Sequence, residues 1–201
     1  MIKNLIFDFG NVLVNQDLQA IFKENFEKDK EIKEQCLNIV SSPEFTEAWD
    51  RGLIPFDELI KEIQMKHPRL CGAFHFFRDH CMNEVTGEIE GMRNVLIKFK
   101  AEGFKLYGLS NWGYDIYEVM QRHAIFSLLD GQVISCEEHL IKPENEIYLR
   151  LCKRYRLLPS ECLFTDDRLE NIKGAKTAGM HAVLFTTPEN YVSNVKLICS
   201  K

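Results

Sequence analysis

Short apolar runs that each end in a polar side chain recur along this chain, separated by amphipathic stretches. This alternation restricts the fold more than any other feature. Asn4-Leu5-Ile6-Phe7 leads to Asp8 and a Gly-containing turn, Asp8-Phe9-Gly10-Asn11-Val12. Leu106-Tyr107-Gly108-Leu109 runs into Ser110-Asn111, Gln132-Val133-Ile134-Ser135 leads through a short loop to Lys142-Pro143, and Cys162-Leu163-Phe164-Thr165 runs into Asp166-Asp167. Each run reads as a buried strand. Between them, helical spacing links Met92, Val95, Leu96 and Phe99, then Ile116, Tyr117 and Met120, then Ile147, Leu151 and Tyr155, then Ile172, Ala175 and Ala178. Strand, helix, strand in repetition predicts right-handed βαβ units, hence an α/β fold with a parallel sheet sandwiched by helices. Its polar residues would then meet at the carboxyl edge of the sheet, where ligands bind.

The segment from Gln16 to Val85 has a different texture. It holds no β-branched run, while Ile21, Phe22 and Phe26, then Cys36, Leu37 and Val40, then Phe56, Leu59, Ile60 and Ile63 recur at helical spacing. We expect a helical insertion over residues 16–85, divided into short helices by Ser41-Ser42-Pro43, by Gly52 to Pro55 and by Pro68 to Gly72. Residues 1–15 and 86–201 would form the α/β core. At 201 residues and 45% hydrophobic, the chain can bury one good core and a small second one.

A net charge of −5 without any basic run argues against nucleic acid, because binding a phosphate backbone requires clustered Lys and Arg. A small substrate fits better. No stretch approaches the roughly 18 apolar residues of a membrane span, and only Met1 to Asn4 precede the first strand, so we expect no signal peptide, no membrane partner and a cytoplasmic location. The seven cysteines are odd in number and include no C-x-x-C pair, which reads as reduced packing residues with neither disulfides nor zinc.

Asp8 in its D-x-x-x-V turn, the strand ending in Ser110-Asn111, Lys142-Pro143, and Asp166-Asp167 with Asn171-Ile172-x-Gly174-Ala175 resemble, in order, the four motifs of the haloacid dehalogenase superfamily. Within it, the Asp-x-Gly-Asn-Val opening, Leu-Ser-Asn and Asp-Asp-x-x-x-Asn-Ile are similar to a bacterial subgroup that includes the α-glucose-1-phosphate phosphatases. The resemblance implies a Rossmann-like core, a helical cap inserted after the first strand, and a Mg²⁺-dependent phosphatase acting on a small phosphorylated metabolite, with a sugar phosphate favoured.

It also implies roles. Asp8 would attack phosphorus, splitting hydrolysis into two easier steps through an aspartyl-phosphate. Lys142 would pair with the nucleophile and the phosphate, and with Asn11, Ser110 and Asn111 would hold the transferring group. Mg²⁺ takes oxygen ligands, here Asp8, the Gly10 backbone carbonyl and Asp167, with Asp166 a close neighbour binding through water. Pro143 suits the first turn of a helix, and a helix from about Tyr114 would place Ser110-Asn111 near its start. Asp17, Asp50 and Arg51 are possible cap contacts, and Trp49 and Trp112 would line the entrance.

One position departs from the pattern. Most phosphatases of this superfamily carry a second aspartate two residues after the nucleophile, as acid for the leaving group, and this chain has Gly10 there. General acid–base catalysis is worth about 10²–10⁴-fold, so three readings stay open. The substrate can leave from an acidic anomeric hydroxyl; a cap residue such as Asp17, Glu47 or Asp50 can substitute; or the chain is a weakly active or inactive module that binds a phosphorylated ligand or a protein partner. A 2-haloacid dehalogenase is a further alternative, disfavoured because such enzymes need no metal and the Asp166-Asp167 pair suits one.

Overall fold

Side chains alternate across a strand, so a continuous apolar run can be buried only between two layers. The first strand, β1 (Asn4–Phe7), is built this way: Leu5 and Phe7 pack with Met92, Leu96, Phe99 and Tyr191, while Ile6 faces the opposite side with Ile147, Tyr148, Leu151 and Ile172. The computed structural model describes residues 1–22 and 29–199; Phe26, expected to pack in the insertion, lies outside them.

After β1 the chain forms a short strand β2 (Val14–Gln16), then the helices α1 (Leu18–Ile21), α2 (Lys30–Val40), α3 (Pro43–Arg51), α4 (Phe56–Lys66) and α5 (Cys71–His80), and returns through β3 (Val85–Glu88). Then follow α6 (Met92–Ala101), β4 (Lys105–Ser110), α7 (Ile116–Arg122), β5 (Gly131–Ile134), α8 (Ser135–Glu138), α9 (Asn145–Tyr155), β6 (Cys162–Asp166), α10 (Leu169–Thr177), β7 (His181–Leu184) and α11 (Pro188–Cys199). The main sheet has the order β5-β4-β1-β6-β7 and every pairing in it is parallel. The chain winds outward from β1 through β4 to β5, then crosses to β6 and β7 on the other side, so β1 sits at the switch of direction. Ligands of open α/β sheets bind outside the carboxyl ends at such a switch. Register brings Phe7 level with Gly108 and Thr165, so Asp8, Ser110 and Asp166 emerge on one edge.

The inserted helices have a core of their own, with Phe22, Cys36, Leu37, Phe45, Ile60, Phe74 and Phe77 buried together. β2 and β3 pair antiparallel and form the stem from which this cap projects. The corner after α3 fastens it a second time. Gly52 adopts φ +60°, and a Cβ there would lie 2.8 Å from the Cys136 Cβ, so only glycine lets α3 end flush against α8. All seven cysteines are free, and no helix among the described residues is long and apolar enough to cross a membrane.

Candidate active site

The Phe9 carbonyl accepts the N–H groups of Val12, Leu13 and Val14, which closes the turn after Asp8 tightly, and Asn11 adopts φ +54°, a conformation asparagine tolerates. The Asp8 backbone N–H still donates to Thr165 O at 2.9 Å, so the residue is held as an extension of β1. The residue is 8% exposed. Three donors converge on Oδ1: the Phe9 N–H at 2.7 Å, the Ser110 hydroxyl at 2.8 Å and the Lys142 ammonium at 2.8 Å.

Lys142 is itself buried, and a buried cation needs anionic partners. It has two, Asp8 and Asp166, the latter at 2.7 Å. These carboxylates raise the affinity of Lys142 for its proton against the opposing effect of burial. Burial pushes the Asp8 carboxyl up to about 7, with Lys142 pulling the other way. Asp166 is fully enclosed and its two oxygens also accept the Arg168 N–H and the Asn171 amide; Lys142 and these donors hold it below the usual carboxylate range despite burial. Carboxylate oxygens of Asp8, Asp166 and Asp167 lie within 4.8 Å of one another, and Asp167 is the most open of the three. That is a donor set of the kind a hard divalent cation takes, and Asp167, whose carboxyl is not tied to Lys142, is the more available of the acidic pair.

Asp8, Ser110, Lys142 and Asp167 form the floor of a cavity of about 430 Å³ between core and cap, with Asp166 enclosed behind them. Gly10, Asn11, Asn111, Trp112 and Arg168 line it from the core, and Val40, Ser41, Thr46, Trp49 and Asp50 from the cap. Both indole N–H groups, of Trp49 and Trp112, donate to the half-buried Asp115 carboxylate, at 3.1 and 2.9 Å, so one core side chain positions both aromatic walls, the Trp49 bond crossing the seam.

Several expected contacts fall elsewhere. Arg51 does not reach the cavity. It turns to the core, pairing with Glu144 at 2.5 Å and donating to the His139 carbonyl, which makes it a fastening of the cap. Asp17 caps α1 by accepting the Gln19 N–H, and Glu47 pairs with Arg51 at the surface. Asn111 lines the cavity, but its side-chain amide both accepts from the Lys142 N–H and donates to the Lys142 carbonyl, so it sets the backbone that aims the lysine. The helix after Ser110 starts at Ile116, not near Tyr114, and Ser110 is the last residue of a strand; Trp112 folding back onto Asp115 occupies the interval. The helix after Lys142 starts at Asn145, with Glu144 as its cap residue, so Pro143 lies before the helix and not in its first turn.

Gln16 and Glu84 are among the cavity residues that escaped sequence reasoning. An ideal Cβ on Gly10 would lie 2.4 Å from Gln16 Oε1, so the place of a side chain at position 10 is filled by Gln16. The Gln16 amide donates to Glu84 at 3.2 Å, and Glu84 is buried, its carboxyl pushed up to about 8 by burial with Asp115 adding to the effect. No sequence signal marks a lone glutamate between a cap helix and a four-residue strand.

The family model described as haloacid dehalogenase-like hydrolase matches residues 2–179. A sesquiterpene phosphatase of Aspergillus oryzae is 27% identical, covering 89% of this chain and 87% of that one. A D-ribitol-5-phosphate phosphatase of Bacteroides thetaiotaomicron is 25% identical over 94% of this chain and 93% of its own. Among solved structures, the magnesium complex of a family enzyme from Bacteroides thetaiotaomicron superposes with a TM-score of 0.75 at 23% identity, covering 92% of this chain and 94% of that one.

Proposed function

The chain belongs to the haloacid dehalogenase-like hydrolase family, and from that premise we propose that it is a Mg²⁺-dependent phosphatase for a small phosphorylated metabolite, a sugar or polyol phosphate. The observation that carries this reading is the cluster of Asp8, Ser110, Lys142 and Asp167 at the floor of the cavity, with Asp166 enclosed behind it and paired to Lys142. With three donors on Oδ1, Asp8 keeps Oδ2 to attack phosphorus. Ser110 and Lys142 are preorganised donors that need no rearrangement as charge develops on the phosphoryl oxygens. Attack breaks the ester bond and leaves an aspartyl-phosphate, which water then hydrolyses. Asn111 keeps Lys142 in place through the cycle, and Asn171 does the same for Asp166.

Asp8, the Gly10 carbonyl and Asp167 would hold Mg²⁺, with Asp166 behind them bridged by water because its oxygens already serve Lys142, Arg168 and Asn171. When bound, the cation neutralises charge on the phosphoryl group. The grouping of three carboxylates disfavours the dehalogenase reading, which has no use for a cation.

The substrate class rests on the walls. Gln16, Ser41, Thr46, Asp50 and Glu84 offer hydroxyl-recognising groups beside two indole rings, in a volume suited to a metabolite. The Bacteroides thetaiotaomicron relative named for D-ribitol 5-phosphate is consistent with a polyol. Free cysteines throughout suit a reducing compartment, and we place the protein in the cytoplasm.

The test is phosphate release from sugar 1-phosphates, sugar and polyol terminal phosphates, nucleotides and an activated aryl phosphate, with Mg²⁺ and with chelator, on the wild type and on Asp8→Asn. Metal-dependent release that the variant abolishes supports the reading, and preference for 1-phosphates would favour the glucose-1-phosphatase subgroup. Retained steady-state hydrolysis by Asp8→Asn would overturn the mechanism.

A further inference from the structure

A phosphate ester of an ordinary alcohol leaves as an alkoxide that needs a proton in the transition state. Four carboxyl groups line the cavity: Asp8, Asp50, Glu84 and Asp167. On the phosphatase reading Asp8 attacks and Asp167 faces the cation, which leaves two to handle protons. Glu84 is engaged by the Gln16 amide, and its electrostatic neighbours are Asp115 and Asp50. Asp50 instead lines the same cavity as Asp8 and Lys142 and feels the charge of both, and its carboxyl accepts no hydrogen bond from any described residue.

We infer that Asp50, carried on the cap but fastened to the core, is the acid that protonates the leaving group and the base that then activates water. This rests on the phosphatase reading. The fastening is what makes it a preorganised group and not a chance surface acid. Residues 49, 50 and 51 are each tied to the core: the Trp49 indole donates to Asp115, the Ser135 hydroxyl donates to the Asp50 carbonyl at 2.6 Å, and Arg51 pairs with Glu144 while its carbonyl lies 2.7 Å from His139 Nδ1. The Asp50 backbone is therefore positioned by the sheet edge that carries Asp8, whatever the rest of the cap does. Asp115, Lys142, Asp8, Arg168 and Glu84 are the charged groups around it, and burial reinforced by Asp115 pushes its carboxyl up to about 7. Near neutral pH such a group can both give and take a proton.

The steps balance. As Asp8 Oδ2 bonds to phosphorus, the phosphorus–oxygen ester bond breaks and its electron pair takes the Asp50 proton, giving the free alcohol and an Asp50 carboxylate. Water then attacks phosphorus while Asp50 takes one of its protons, the acyl-phosphate oxygen–phosphorus bond breaks, and Asp8 carboxylate, inorganic phosphate and protonated Asp50 are restored.

Asp50→Asn keeps the size of the side chain and removes the proton. Its kcat/KM on glycerol phosphate and ribitol phosphate, with Mg²⁺, should fall by about 10²–10⁴-fold. On p-nitrophenyl phosphate, whose leaving group needs no proton, the variant should release one equivalent of nitrophenolate at close to the wild-type rate and then slow, as the aspartyl-phosphate waits for water. The wild-type alkyl-ester profile should lose activity as pH rises through about 7, and the variant should lack that limb. The ratio of the two esters is read on one sample, so an unfolded fraction does not alter it. Equal losses on both esters would make Asp50 a structural residue, and an unchanged alkyl rate would put the acid elsewhere; either overturns the inference while leaving the phosphatase reading intact. A folded wild type that hydrolyses no ester overturns both.

Discussion

Glu84→Gln should stabilise the protein, by an amount set by pH. Glu84 is 3% exposed and has no cationic partner among the described residues, and burial raises its carboxyl from 4.5 to about 8. Between those values the folded protein holds a proton that the unfolded chain has released. Folding then takes up a proton, so the contribution of this group to stability falls as pH rises through the window. Each pKa unit is worth about 1.4 kcal/mol. The cost is therefore under about 1 kcal/mol at pH 5, about 3 kcal/mol at pH 7, and approaches about 5 kcal/mol at pH 9. Glutamine removes this cost while keeping a carbonyl oxygen for the Gln16 amide to donate to, as it does to the carboxylate at 3.2 Å. Against a typical total of about 5–15 kcal/mol, the pH 7 difference is easily measured by urea unfolding. We expect the wild-type and variant curves to converge near pH 5 and to diverge steadily towards pH 9. Parallel curves across that range would refute the reasoning, since they would mean that Glu84 titrates alike in folded and unfolded chains.

Lys142→Met leaves the Asp8 and Asp166 carboxylates buried without their cation, so urea unfolding at pH 7 should show a loss of about 3–5 kcal/mol, shrinking as acid protonates the two groups. Gly10→Asp must displace Gln16, whose Oε1 lies where the new Cβ would be. Combined with Gln16→Ala it should fit, giving a favourable coupling of about 0.5–3 kcal/mol in a double-mutant cycle of melting stability. Strict additivity would show that Gln16 is not what fills the position.

Strand ends were the legible part of this chain. Two-sided burial makes β1, β4 and β6 continuous apolar runs, and the polar residues that end them, Asp8, Ser110 and Asp166, come together because parallel register carries them to one edge. Lys142 could be placed near them by its position after β5, though not its burial between two carboxylates. The stem was hidden, because β2 and β3 are short, carry polar residues, and pair across the whole insertion, so no local pattern announces them. Cap orientation was hidden for a different reason. Consecutive helical residues point about 100° apart, and only the packing of α3 against α8 decides that Asp50 lines the cavity while Arg51 turns to Glu144 and His139. The role of Asn111 was equally invisible, since an amide suits a ligand and a backbone peptide alike.

The one-sided hydrogen bonding of Asp8 has an isotopic consequence. A free carboxylate has two interchangeable oxygens, because rotation about the Cβ–Cγ bond swaps them. Three donors gathered on Oδ1 break that symmetry before any substrate arrives. If Asp8 is the nucleophile, the same atom, Oδ2, bonds to phosphorus and is released from it in every cycle while staying attached to the aspartate. Oxygen taken from labelled water would then accumulate in the released phosphate, while neither position of the aspartate would scramble, however many turnovers the enzyme completes.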